Sequence, residues 1–167
     1  VEGEKARKLM TKTFTEPDVL RCYFSTCYEL FRACELSGCY ELTKDQMDWW
    51  IRLLDEHCTT CPETPANSRS ECHAWSALPM YELVSVIAGI RRETRNPAQV
   101  RITPHMDYLP DLAGEVITEY GPITFAYQKE GDQCTYELAL PKGMNGTFII
   151  AGEERKLGAG SNKFVLR

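Results

Sequence analysis

Apolar positions recur at three- and four-residue steps through the first half of the chain and at two-residue steps through the second. Ala6, Leu9, Met10 and Phe14 give a short amphipathic stretch over residues 4–14. Thr15-Glu16-Pro17-Asp18 reads as a helix start, with acidic residues and proline in the first turn. Leu20, Tyr23, Phe24, Cys27, Leu30, Phe31 and Cys34 follow at helical spacing as one broad apolar face, and Gly38 is placed to end it. Thr43-Lys44-Asp45-Gln46 has the form of a capping box, ahead of a stripe of Met47, Trp50, Ile51 and Leu54. A loop over residues 58–70 holds Pro62 and Pro65. A fourth helical stretch is predicted over residues 72–88, kinked or delayed by Pro79 and closed by Gly89.

Beyond Pro97 the period falls to two. Val100–Ile102, Val116–Tyr120, Ile123–Gln128, Thr135–Leu140, Phe148–Ile150 and Phe164–Leu166 alternate, and Glu130-Gly131-Asp132 marks a hairpin turn between two of these runs. The prediction is an α+β chain in two parts, with about four helices followed by six to eight strands in a small antiparallel sandwich. Trp49 and Trp50 are neighbours and point in different directions on a helix, so one of them faces away from the local core. A helix apolar on more than one face expects neighbours on more than one side.

At 167 residues the chain has room for one domain or two small ones. Lys plus Arg number 19 and Asp plus Glu 24, a formal charge of -5, so there is no electrostatic footprint for nucleic acid or for an anionic membrane surface. No segment approaches the ~20 apolar residues that span a bilayer. Val1-Glu2-Gly3-Glu4-Lys5 has neither a signal-peptide core nor an initiator Met, which points to a piece of a longer chain and leaves the compartment open. Four of the eight cysteines, Cys22, Cys27, Cys34 and Cys39, sit in or just after one predicted helix. That clustering fits buried free thiols better than a disulfide framework, and so favours the cytoplasm.

Cys58 and Cys61, with Cys72-His73, invite a zinc reading, but adjacent Cys and His rarely both reach one tetrahedral ion. No metal or cofactor is predicted. Glu63 lies in a proline-bounded loop, where catalytic carboxylates concentrate, yet by residue type alone it reads first as a solvated surface group. His73 reads as a capping or core histidine, and Trp75 as core.

Read as a whole, the segment changes that weighting. Thr59-Thr60-Cys61-Pro62-Glu63, followed by Ser68-Arg69-Ser70-Glu71-Cys72-His73-Ala74-Trp75-Ser76-Ala77, resembles the signature near the end of the catalytic domain of bacterial α-L-rhamnosidases, glycoside hydrolase family 78. Tyr23-Phe24 and Leu30-Phe31-Arg32-Ala33 upstream resemble its preceding barrel helix. Downstream, Gly89-Ile90-Arg91, Val100 to His105, Tyr120 to Ile123 and Leu157 to Ser161 resemble its C-terminal sandwich.

The resemblance implies that residues 1–96 supply the last helices of an (α/α)6 barrel and residues 97–167 a C-terminal β-sandwich. It implies an inverting hydrolase of terminal α-L-rhamnosides, with Glu63 as general base, His73 on the sugar and Trp75 as a pocket residue. The family's general acid lies upstream of the matched region, so the isolated chain is expected to be inactive. Its truncated barrel helices are expected to self-associate. A non-catalytic carbohydrate-binding or interaction module, using Tyr108, Tyr120 or Tyr127, is the competing reading. A zinc-binding helical domain is a third.

Overall fold

Phe24, Cys27, Leu30, Phe31 and Cys34 lie on one stripe of a helix, and all five are buried. They form the centre of the first of two compact units in a computed structural model that describes residues 3–166; the chain passes from the first unit to the second between Met80 and Tyr81. Val1 and Glu2, part of the N-terminal segment read above, lie outside the described residues.

The helical unit contains α1 (Gly3–Thr15), α2 (Phe24–Leu36) and α3 (Lys44–Asp55). Short 3₁₀ segments occupy Tyr40–Thr43 and Ala74–Ala77. Against expectation, α2 does not begin at Thr15. The Glu16 amide closes the end of α1 on the Lys12 carbonyl, and the chain then runs non-helical as far as Tyr23, with Leu20 92% exposed. Gly38 does end α2. It adopts φ 67, its amide bonds the Glu35 carbonyl and the Cys39 amide bonds that of Cys34, the paired closure of a Schellman motif.

The capping box does not form. Thr43 donates its hydroxyl back to the Tyr40 carbonyl, and Gln46 is buried, its Nε2 donating 2.5 Å to the Cys22 carbonyl. Gln46, Trp50 and Leu53 are the buried residues of α3, while Ile51 and Leu54 of the predicted stripe are exposed. Trp50 packs 4.4 Å from the Phe24 ring, and Trp49 is half-buried. The single helix expected over residues 72–88 is instead a 3₁₀ segment (Ala74–Ala77), one α turn, α4 (Leu78–Tyr81), and a π segment (Glu82–Ile87). Pro79 sits in the first turn of α4, where its missing amide costs no helical bond.

The second unit opens with that π segment and, among the described residues, holds eight strands. One sheet runs β1 (Ile90–Glu93), β2 (Asn96–Ile102), β6 (Asn145–Ile150), β7 (Glu153–Leu157). The other runs β3 (Asp111–Thr118), β4 (Gly121–Glu130), β5 (Gln133–Leu140), β8 (Gly160–Leu166). Strand pairing therefore starts at Ile90, ahead of Pro97. Ile123, Phe125 and Tyr127 on β4 alternate inward with Cys134, Tyr136, Leu138 and Leu140 on β5. Tyr136 packs 5.1 Å from Phe148 of the other sheet. All pairings are antiparallel except β2 with β6, which is parallel because the chain leaves for the second sheet after β2 and returns to the first at β6. The edge strand β7 carries Glu153, Glu154, Arg155 and Lys156, charges that oppose pairing with another chain.

Two of the three tyrosines of the binding-module reading are core residues: Tyr108 is 7% and Tyr127 3% exposed, and only Tyr120 is accessible. All eight cysteines are free thiols. Cys27, Cys34, Cys39 and Cys134 are buried, whereas Cys58 and Cys72 are exposed. Burial pushes the Cys27 and Cys34 thiols up to about 12 and raises those of Cys39 and Cys134. Alkylation at pH 8 followed by peptide mass mapping is therefore expected to label Cys58 and Cys72 and to spare the buried four until the chain unfolds. The same shifts fix the sign of an alkaline effect. Unfolded thiols ionise near 9 while the buried ones hold their protons to about 12, so stability falls as pH rises through that window.

Candidate active site

The loop carrying Glu63 starts at the end of α3. The Cys58 amide bonds the Leu53 carbonyl and that of His57 bonds Leu54, a second Schellman closure, with His57 at φ 58 where glycine is usual. From there two arms of the loop run side by side. Thr60 donates its hydroxyl to the Glu71 carbonyl, and the His73 amide donates 2.8 Å to the Cys61 carbonyl. The Glu63 amide donates to the Ser70 carbonyl at 2.8 Å and to Ser68 Oγ at 3.0 Å.

The core anchors this loop through one residue. Trp50 Nε1 donates 2.6 Å to the carbonyl of fully buried Ser76, and Ser76 Oγ donates to the Pro62 carbonyl, one residue before Glu63. In the sequence Ser76 is one letter of the quoted signature; its anchoring role is legible only once its partners are known.

Glu63 is largely sheltered, with its side chain 20% exposed. Arg69 reaches back across the loop with a forked guanidinium, Nη2 2.8 Å from Oε1 and Nε 3.3 Å from Oε2. The hydrogen bonds and charge of Arg69, with a smaller contribution from His73, hold the Glu63 carboxyl below the usual glutamate range against the opposing effect of burial. At neutral pH Glu63 is an anion, paired with Arg69.

His73 and Trp75, two residues apart in an extended-to-3₁₀ transition, bring their rings to 4.3 Å. Neither fits its plain reading. His73 makes no side-chain cap to the 3₁₀ segment, and Trp75 is 46% exposed rather than core. His73 Nδ1 is buried without a hydrogen-bond partner. Such an atom costs about 1–3 kcal/mol, and native folds keep few of them.

Two concave surfaces lie away from these three side chains. An open recess of about 370 Å³ is walled by Glu56, His57, Thr59, Thr64, Asn67 and Ser68, on the loop but not at Glu63, His73 or Trp75. A groove of about 710 Å³ crosses the outer face of the second sheet, over Ala113, Ala126, Gln128, Glu137 and Lys163. Among the described residues no three His, Cys, Asp or Glu side chains cluster as a metal site, and Cys58, Cys61, Cys72 and His73 are not brought together as one.

Residues 89–164 match the family model of the bacterial alpha-L-rhamnosidase C-terminal domain. The match lies within the β unit. By structure, the alfa-L-rhamnosidase of Aspergillus terreus is similar over 99% of this chain and 22% of its own, at 16% identity and a TM-score of 0.78. The alpha-L-rhamnosidase of Dictyoglumus thermophilum is similar over 96% and 22%, at 16% identity and TM-score 0.72. That of Streptomyces avermitilis, solved with L-rhamnose, is similar over 83% and 17%, at 15% identity and TM-score 0.71. At these identities the likeness is one of fold, and it takes in the helices as well as the strands. The chain spans about a fifth of the length of these solved relatives. No curated protein matches it in sequence.

Proposed function

We propose that the chain is the C-terminal portion of an inverting α-L-rhamnosidase, with its helices completing a catalytic barrel and the strands from Ile90 onward forming the domain that follows it along the chain. The observation that carries the reading is the ionised, sheltered carboxylate of Glu63, on a loop whose opposite arm presents His73 and Trp75. Inversion needs two carboxyl groups roughly 6.5–9.5 Å apart, one protonating the leaving oxygen and the other taking a proton from water. Glu63 suits the second of these roles, because its ionised carboxylate is held in place by Arg69 and keeps lone pairs free for a water. The imidazole of His73 is suited to bond a ring hydroxyl, and the exposed face of Trp75 to flank the sugar.

On this reading the proton donor comes from the rest of the barrel. General acid assistance is worth about 10²–10⁴-fold, and the positioning of substrate by the rest of a barrel more again. The purified chain is therefore expected to release no measurable aglycone from an aryl α-L-rhamnoside. Robust turnover by the isolated chain would overturn the assignment of roles.

A further inference from the structure

In the sequence Arg69 is one letter of a motif. The structure gives it a specific place. The residues on both sides of Arg69 are tied to the Glu63 amide, through the Ser68 Oγ at 3.0 Å and the Ser70 carbonyl at 2.8 Å. Ser68 Oγ also donates 2.6 Å to the Ser70 carbonyl, closing the turn on itself. The side chain between them forks onto Glu63.

We propose that Arg69 is the positioning residue of this site, fixing the Glu63 carboxylate in one orientation and standing as its counter-ion. The inference rests on the reading of Glu63 as the water-activating base. The geometry suits that role better than a simple surface pair. A carboxylate offers about four lone-pair positions; the fork engages one on each oxygen and leaves the others for a water. The Arg69 side chain is otherwise 87% exposed. Lysine would keep the charge but lose the fork, because an ammonium is a point donor that cannot fix the plane of the carboxylate. The charged groups acting on Glu63 are Arg69 and His73, so removing the first leaves only the second.

The test uses the 167-residue chain, with the Glu63 side-chain carboxyl carbon followed by NMR through an acid titration. In the native chain it should titrate below the ordinary glutamate range. Arg69→Gln should move the midpoint up into that range or above it, and Arg69→Lys should recover part of the shift. The amide spectrum of the rest of the helical unit should be unchanged in both. A midpoint that stays put in Arg69→Gln, with the Glu63 amide still protected by its bond to Ser70, would overturn the proposal.

A second readout separates positioning from a merely structural brace. In an active polypeptide carrying this chain, the acidic limb of the kcat/KM profile should shift to higher pH in Arg69→Gln and return part-way in Arg69→Lys. An unmoved limb would overturn the positioning role. Failure of the underlying reading looks different: turnover would survive Glu63→Gln, whatever Arg69 does to the titration.

Discussion

Gly146→Ala is expected to destabilise the β unit by roughly 3 kcal/mol or more, at the upper end of what overpacking costs. Gly146 lies opposite Val100 in the one parallel pairing of the sandwich. A methyl group built there would sit 2.3 Å from the Val100 carbonyl oxygen and 2.6 Å from its Cγ2. Backbone cannot swing aside as the end of a long side chain can, so β2 and β6 must separate. Among the described residues, that pairing alone joins the β1–β2 half of its sheet to β6 and β7. Urea unfolding followed by the intrinsic fluorescence of the tyrosines should show the midpoint falling with little change in slope. Gly158→Ala is the control: its new methyl would meet nothing within 4 Å, and its effect should stay within about 0.5 kcal/mol. Equal midpoints for the two variants would mean that the parallel pairing is not what holds this sheet together.

On the proposed reading, Glu63→Gln, in an active polypeptide carrying this chain, is expected to lower kcat for an aryl α-L-rhamnoside by about 10²–10⁴-fold. Glutamine keeps the shape of the side chain and can still accept a hydrogen bond from Arg69, but it cannot take a proton from water. The loss should fall on kcat more than on KM, because the interaction is made with the attacking water and not with the resting sugar. Thermal unfolding of the variant should stay close to that of the parent, since the carboxylate lies at a partly open surface and its amide bonds to Ser68 and Ser70 are kept. A loss of less than about tenfold would remove Glu63 from the base role.

The two halves of the fold were legible to different depths. Strand alternation in Ile123–Gln128 and Thr135–Leu140 transferred directly into β4 and β5, because a half-buried strand writes its environment into every second residue. The helices were legible in kind and misplaced in detail. Leu20 and Tyr23 share the spacing of the α2 stripe but lie outside the helix and exposed, since spacing cannot tell a buried apolar position from one that faces outward. Thr43 and Gln46 had the letters of a capping box. Gln46 was drawn instead to the Cys22 carbonyl, a partner 24 residues away that no local pattern announces.

The candidate site divides the same way. Glu63, His73 and Trp75 could be named from their order along the chain. Arg69 could not be singled out, because it lies six positions along the loop from Glu63 and only the closure of that loop turns one toward the other. Ser76 was hidden for the same reason, its carbonyl meeting Trp50 across 26 residues.

By itself, then, the sequence determined the change from helical to strand period, the buried stripe of α2, the glycine that ends it, and the residue types of the site. These are local matters: burial on one face, a positive φ, a carboxylate beside a proline. Tertiary structure alone decided the parallel β2–β6 pairing, the burial of Tyr108 and Tyr127, and the counter-ion of Glu63. Each of these depends on which distant segment the chain meets when it closes on itself, and that meeting is chosen by the packing of the whole unit.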